Sequence, residues 1–231
     1  MPAFHFHQLP APAAARFRVG VLPVGPIEAN CTLVLRDGAP AAAILLDPGD
    51  DAPAILATLA ALRVTPSAIL LTHGHMDHTG ALSAVADAFP AASVWLHPLD
   101  AAWYASPVNA IPGLCPPPPP LPAGRLSPFP ADGTPLPLPG WDIRPHHTPG
   151  HTPGGVCWHF PAIPALFSGD TLFRDSVGRT DLPGGDPRAL AASLATLSRY
   201  PAETLLFPGH GDPSTLDRER RCNYFLQEPP R

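Results

Sequence analysis

Apolar positions along the chain fall in short runs separated by turn residues, and the runs are of two kinds. Short apolar runs suited to buried strands lie at residues 17–24, 31–36, 42–47, 68–72, 93–97, 141–146, 155–160, 165–168 and 204–207. Helical spacing appears at 52–62, 79–89, 98–105, 187–199 and 214–226. Asp186 before Pro187 reads as an N-cap followed by a first-turn proline. The first third is mostly strand with one helix, and strand and helix then alternate. That supply predicts an α/β chain with two sheets and helices on their outer faces.

Between Tyr104 and Gly140 the pattern lapses into loop, including Cys115 followed by Pro116 to Pro120. A PxxP ligand for a partner domain is one reading, and a stiff surface connection is the preferred one. No break in composition forces a second domain, so residues 1–231 are read as one domain with a proline-rich surface loop at about 105–140. The 36 prolines interrupt good apolar strands without replacing them, which points to rigid turns and not to disorder.

A formal charge of −5 with no basic stripe argues against a nucleic-acid partner. The N-terminal segment has neither a basic start nor a continuous apolar core, and no apolar stretch is long enough for a bilayer. Cys31, Cys115, Cys157 and Cys222 form no C-x-x-C pair and are expected to be small buried hydrophobes. A reduced, cytoplasmic setting with no membrane partner is therefore expected.

The chemistry concentrates in Leu71-Thr72-His73-Gly74-His75-Met76-Asp77-His78-Thr79-Gly80. Three imidazoles and a carboxylate within six residues follow an apolar strand and precede a helix. His73 and His75, two apart in a tight loop, can reach one ion, while Asp77 and His78 can turn toward a second. Imidazole with carboxylate suits zinc and similar first-row metals, and the absence of thiolate argues against a structural zinc site. Three further candidates sit just past strands: His151 in TPGHTPG, Asp170 in SGDT and His210 in PGHG. Loops of that kind converge at one edge of a sheet, so the three can complete the site.

The spacing THGHMDHTG, HTPGHTPG, SGDTLF and PGHGD resembles the metallo-β-lactamase superfamily, over about Asn30 to Leu226. Within it, GDTLF followed by SVGRTDLPGGD resembles the glyoxalase II-like branch, in its short type without the C-terminal helical domain. The resemblance implies a four-layer αβ/βα sandwich. It implies one metal on His73, His75 and His151, a second on Asp77, His78 and His210, and Asp170 bridging both. Asp77 and Asp170 are also taken as catalytic, Asp47 as a support of the metal loop from behind, and Arg179 as a substrate contact. The implied cofactors are two divalent ions, zinc foremost, with iron or manganese as alternatives.

The implied reaction is attack of a metal-bridging hydroxide on an acyl carbonyl. A thiol of pKa near 8.5 leaves unaided, whereas an amine needs a proton donor that the sequence does not supply. The expected substrate is thus a small acyl-thiol such as a hydroxyacylglutathione, and the expected assembly is a monomer or homodimer. Glutathione recognition is weakened because the sequence ends soon after His210 and because Asp181 stands where an aromatic hydroxyl is usual. Arg218, Arg220 and Arg221 read as a solvated helix face before they read as an acid-binding patch. The alternatives are a persulfide dioxygenase with one iron on His73, His151 and Asp170, a lactonase or β-lactamase, and a non-catalytic interaction protein on the same fold.

Overall fold

Alternation along the strands decides which way each apolar side chain turns. The computed structural model describes residues 3–38, 42–130 and 132–227. Its first half comprises β1 (His5–His7), β2 (Phe17–Val24), β3 (Ala29–Arg36), β4 (Ala42–Leu46), α1 (Ala52–Leu62), β5 (Thr65–Leu70), α2 (Met76–Thr79), α3 (Leu82–Ala88), β6 (Ser93–Trp95) and α4 (Pro98–Ala101). The second half comprises β7 (Arg144–His147), β8 (Val156–Phe160), β9 (Ala165–Gly169), β10 (Leu172–Phe173), β11 (Ser176–Val177), α5 (Pro187–Leu197), β12 (Leu205–Pro208), β13 (Ser214–Thr215), α6 (Leu216–Cys222) and α7 (Tyr224–Gln227).

β1 to β6 form one sheet in chain order, antiparallel as far as β4 and parallel from β4 to β6. The second sheet runs β13-β12-β9-β8-β7, with β12 parallel to β9 and the other pairs antiparallel. On β3, Val34 turns inward while Leu33 and Leu35 turn out toward α1 and α3, where Ile55, Leu59, Leu82 and Val85 cover them. On β8, Trp158 and Phe160 turn inward and Cys157 turns out toward Leu190 and Leu194 of α5. Such two-sided burial is what the unbroken apolar runs encode. The inner faces meet in one apolar layer, which gives a four-layer αβ/βα sandwich.

Several elements depart from the sequence reading. The expected helix at 79–89 is broken into α2 and α3, because Ala81 N donates to Pro48 O (3.0 Å) and not up the helix. The expected helix at 214–226 becomes β13, α6 and α7, interrupted where the Asn223 amide donates to Ser176 O (3.0 Å) and Phe173 O (3.3 Å). β1 and the β10–β11 hairpin were too short to register as runs. Cys222 is exposed, unlike the three buried cysteines. Asp186 does cap α5, accepting from Arg188 N (2.8 Å) and Ala189 N (3.1 Å).

The proline-rich segment is an irregular strap tied to the first sheet. Arg125 donates to the carbonyls of Ala86, Phe89 and Ala92, and Ser127 N donates to Val94 O. No helix among the described residues is long and apolar enough to cross a membrane.

The two sheets are joined by more than apolar contact. Fully buried Trp158 donates its indole N–H to Leu71 O (3.0 Å), just ahead of the histidine loop. Replacing Trp158 with Phe should leave the secondary structure intact but lower the unfolding free energy by about 1–3 kcal/mol, read by urea denaturation, because it strands that carbonyl and thins the layer.

Candidate metal centre

All seven predicted donors lie past the C-terminal ends of strands that open onto one edge of the sandwich. His73 and His75 follow β5, with Asp77 and His78 on α2 behind them; His151 follows β7, Asp170 follows β9 and His210 follows β12. The structure brings them all together. His75 Nδ1 is 2.9 Å from His151 Nε2, and His78 Nε2 is 3.4 Å from His210 Nε2. Asp170 lies between the two groups, with Oδ1 3.4 Å from His78 Nε2 and Oδ2 3.5 Å from His151 Nε2. Asp77 Oδ2 lies 3.2 Å from His210 Nε2.

The outer nitrogens are anchored, which fixes what points inward. His151 Nδ1 donates to Arg179 O (2.7 Å) and His210 Nδ1 donates to Ile27 O (3.1 Å). A carbonyl can only accept, so each of these rings carries its proton at Nδ1 and turns a lone pair at Nε2 toward the cluster. Asp47, buried at the end of β4, accepts from Thr72 N (2.7 Å), Thr72 Oγ1 (2.7 Å) and His78 Nδ1 (3.0 Å). The Thr72 hydroxyl, its proton given to Asp47, accepts from His73 Nδ1 (3.1 Å). His75 is the exception and faces inward through Nδ1.

Close packing around the donors leaves no room for a side chain at several glycines. A Cβ on Gly209 would strike Asp170 Oδ1, and one on Gly49 would strike the Asp77 carbonyl.

The interior of the cluster fits a cation. His73 Nε2 and Asp170 Oδ1 are buried with no hydrogen-bond partner, a costly condition for either atom alone. Among the described residues, three interlocking sets each hold their donor atoms within 4.8 Å of one another: His73, His75, His151; His73, His78, Asp170; and Asp77, His78, His210. The donors are imidazole and carboxylate only, the mixture suited to zinc, iron or manganese.

The protonation states split along the same line. Burial and the nearby His151 ring push His75 down to about 4, and burial pushes His73 well below its ordinary value. Burial also lowers His78 and His210, but Asp77 and Asp170 outweigh it and hold both imidazoles above their ordinary value. In return, and against burial, His78 holds Asp170 well below the carboxylate range, and His78 with His210 lowers Asp77.

The family model of the metallo-beta-lactamase superfamily matches residues 24–210. The chain belongs to that superfamily. The hydroxyacylglutathione hydrolase GloC of Haemophilus influenzae is 32% identical over 221 residues, covering 90% of this chain and 97% of its own. The BLEG-1 B3 metallo-beta-lactamase is 36% identical with a TM-score of 0.82, covering 91% of this chain and 100% of that one. TTHA1623, solved in a di-iron-bound form, is 43% identical with a TM-score of 0.78, covering 89% and 99%.

Further residues of this superfamily member bear on the site. Asp100, fully buried on α4, accepts from Gly74 N (2.8 Å), Thr152 Oγ1 (2.7 Å) and Gly154 N (2.7 Å). It thereby clamps the His73–His75 loop to the His151 loop, and nothing in its local sequence signals that. Arg179 meets the site through its carbonyl, while its guanidinium forms a two-pronged pair with Asp181 (2.7 and 2.6 Å). A cleft of about 960 Å³ between α5 and α7 is lined by Gly178, Arg179, Leu190, Leu194, Tyr224 and Phe225, and by none of the seven donors. Arg218 pairs with Asp175 and buried Glu219, Arg221 pairs with Asp217, and Arg220 donates to Tyr200 O, so these arginines serve the fold.

Two outcomes follow from this geometry. Asp100→Asn should weaken metal binding by the His73–His75–His151 group about 10- to 100-fold, while largely sparing the other group, in competition against a chromophoric chelator. The carboxylates raise the proton affinity of His78 and His210, so a cation there competes with protons more than one at His73 and His75, whose proton affinity burial lowers. Lowering the pH from about 8 to about 6 should therefore weaken the second binding event far more than the first, with proton release detectable by calorimetry in buffers of different ionisation enthalpy.

Proposed function

We propose that this chain is a dinuclear metal-dependent hydrolase acting on thioesters. The observation that carries the reading is the convergence of seven donors, among them His73 Nε2 and Asp170 Oδ1, which are buried without a hydrogen-bond partner. In this reading His73, His75 and His151 hold one ion, Asp77, His78 and His210 hold the other, and Asp170 reaches both. Zinc is the expected ion, with the di-iron form of TTHA1623 as the competing precedent. Two such ions supply an acidified water and a polarised acyl carbonyl.

The residues of the chain do the rest. Asp77 and Asp170 would orient the attacking water as hydrogen-bond acceptors, and Asp47 would keep His78 turned inward. Both carboxylates facing the cluster are held low by their histidine neighbours, so neither stores a proton for an amine leaving group. A thiolate leaves without one, which favours a thioester over an amide. The likeness to the GloC hydrolase supports the same class, and the likeness to BLEG-1 makes a β-lactam the competing substrate.

The test is elemental analysis beside a substrate panel: acyl thioesters including S-D-lactoylglutathione, a chromogenic cephalosporin, a lactone, and a persulfide with oxygen-uptake readout. Two ions per chain and thioester turnover are expected, with His75→Ala and His210→Ala each lowering kcat/KM by more than about 100-fold. One iron per chain with oxygen uptake, or turnover of the cephalosporin or lactone alone, would overturn the proposal.

A further inference from the structure

Most of the large exposed apolar side chains among the described residues come from one short stretch. Of the six, Leu99 lies on α4 and Val108, Ile111 and Leu114 lie between α4 and the start of the proline run; the other two flank the α5–α7 cleft. Val108 is 72% exposed and Leu114 48%. Clustered exposure of this kind marks a contact surface more often than chance.

This stretch is built onto the metal centre. The Trp103 ring stands edge-on to the His75 ring, with centroids 5.4 Å apart. Asn109, buried, accepts from Met76 N (3.1 Å) and donates to Gly74 O (2.8 Å) and to Tyr104 O, so the residue next to Val108 is fastened to the donor loop on both sides of His75. Ile111 and Cys115 exchange backbone hydrogen bonds (2.8 and 2.9 Å), which closes the following turn. The loop that carries Val108, Ile111 and Leu114 is thus a ledge fastened through Asn109 to the two residues that flank His75.

Charge near the donors points the same way. Arg174, which follows the Phe173 ring that packs against His210, is paired with Asp212 (3.1 Å), and Arg179 is paired with Asp181. An anionic thiol such as glutathione would have to compete with those carboxylates, whereas an apolar chain meets no such cost on the ledge.

Resting on the thioesterase reading, we propose that Trp103, Val108, Ile111 and Leu114 receive the acyl chain of the substrate. The preferred substrates are then thioesters of medium-length apolar acids. The test uses metal-loaded protein and N-acetylcysteamine thioesters from acetyl to octanoyl, with a Val108→Ser/Ile111→Ser double variant and a separate Leu114→Ser variant. The wild type should gain about two- to fourfold in kcat/KM per added methylene, and the variants should flatten that slope.

Calorimetric binding of octanoate against acetate gives a readout that needs no turnover. Octanoate should bind about tenfold or more tighter, and the variants should erase the difference. A flat chain-length profile, an octanoate preference untouched by the substitutions, or variants that only dissolve a dimer would overturn the ledge proposal. If no thioester is turned over at all, the thioesterase reading fails, and the octanoate measurement alone decides the ledge.

Discussion

A carboxylate taken out of water must be met by donors, and Asp47 meets that demand in a way that organises the centre. It sits at the end of β4 with a positive φ of 47° and accepts from the Thr72 backbone, the Thr72 hydroxyl and the His78 ring. Because the hydroxyl gives its proton to Asp47, it is left able to accept one from His73. The orientation of two histidines on two different segments therefore follows from one acid. Without it, either ring could rotate and present the wrong nitrogen.

Asp100 plays the matching part on the other flank. Its oxygens bind the loop after β5 and the loop after β7, which belong to different sheets. The apolar layer between the sheets brings those loops near one another, but hydrophobic packing is non-directional and does not set ångström-scale geometry. Buried carboxylates supply the direction. The centre thus rests on acids that point away from it as much as on those that point in.

The sandwich and the donors were legible because each has a local signature. Two-sided burial writes itself as unbroken apolar runs, and β2 and α1 match the predicted ranges residue for residue. The histidine loop packs its donors into a few adjacent positions. What escaped the sequence depends on distant partners. Gly80 and Ala81 look helical until Pro48 claims the Ala81 amide, and Asn223 looks helical until the β10–β11 hairpin claims its side chain. Asp100 looks like any acid in a first helical turn, since its partners lie 26, 52 and 54 residues away. Arg179 carries a role through its carbonyl, which residue identity does not encode.

The way His210 is held ties the centre to the history of the chain. Asn30 N donates to Gly209 O (2.7 Å), the Asn30 amide reaches Pro208 O (3.0 Å) and Gly211 O (2.8 Å), and His210 itself donates to Ile27 O. His210 is therefore seated on a cradle that precedes it by about 180 residues. During translation His78 emerges 132 residues ahead of His210 and waits for it, since contacts of such sequence separation close late. A fragment released by proteolysis or premature termination can display the histidine loop without enclosing it. Completion of the centre is in this sense a checkpoint: it reports that segments 178 to 183 residues apart have met.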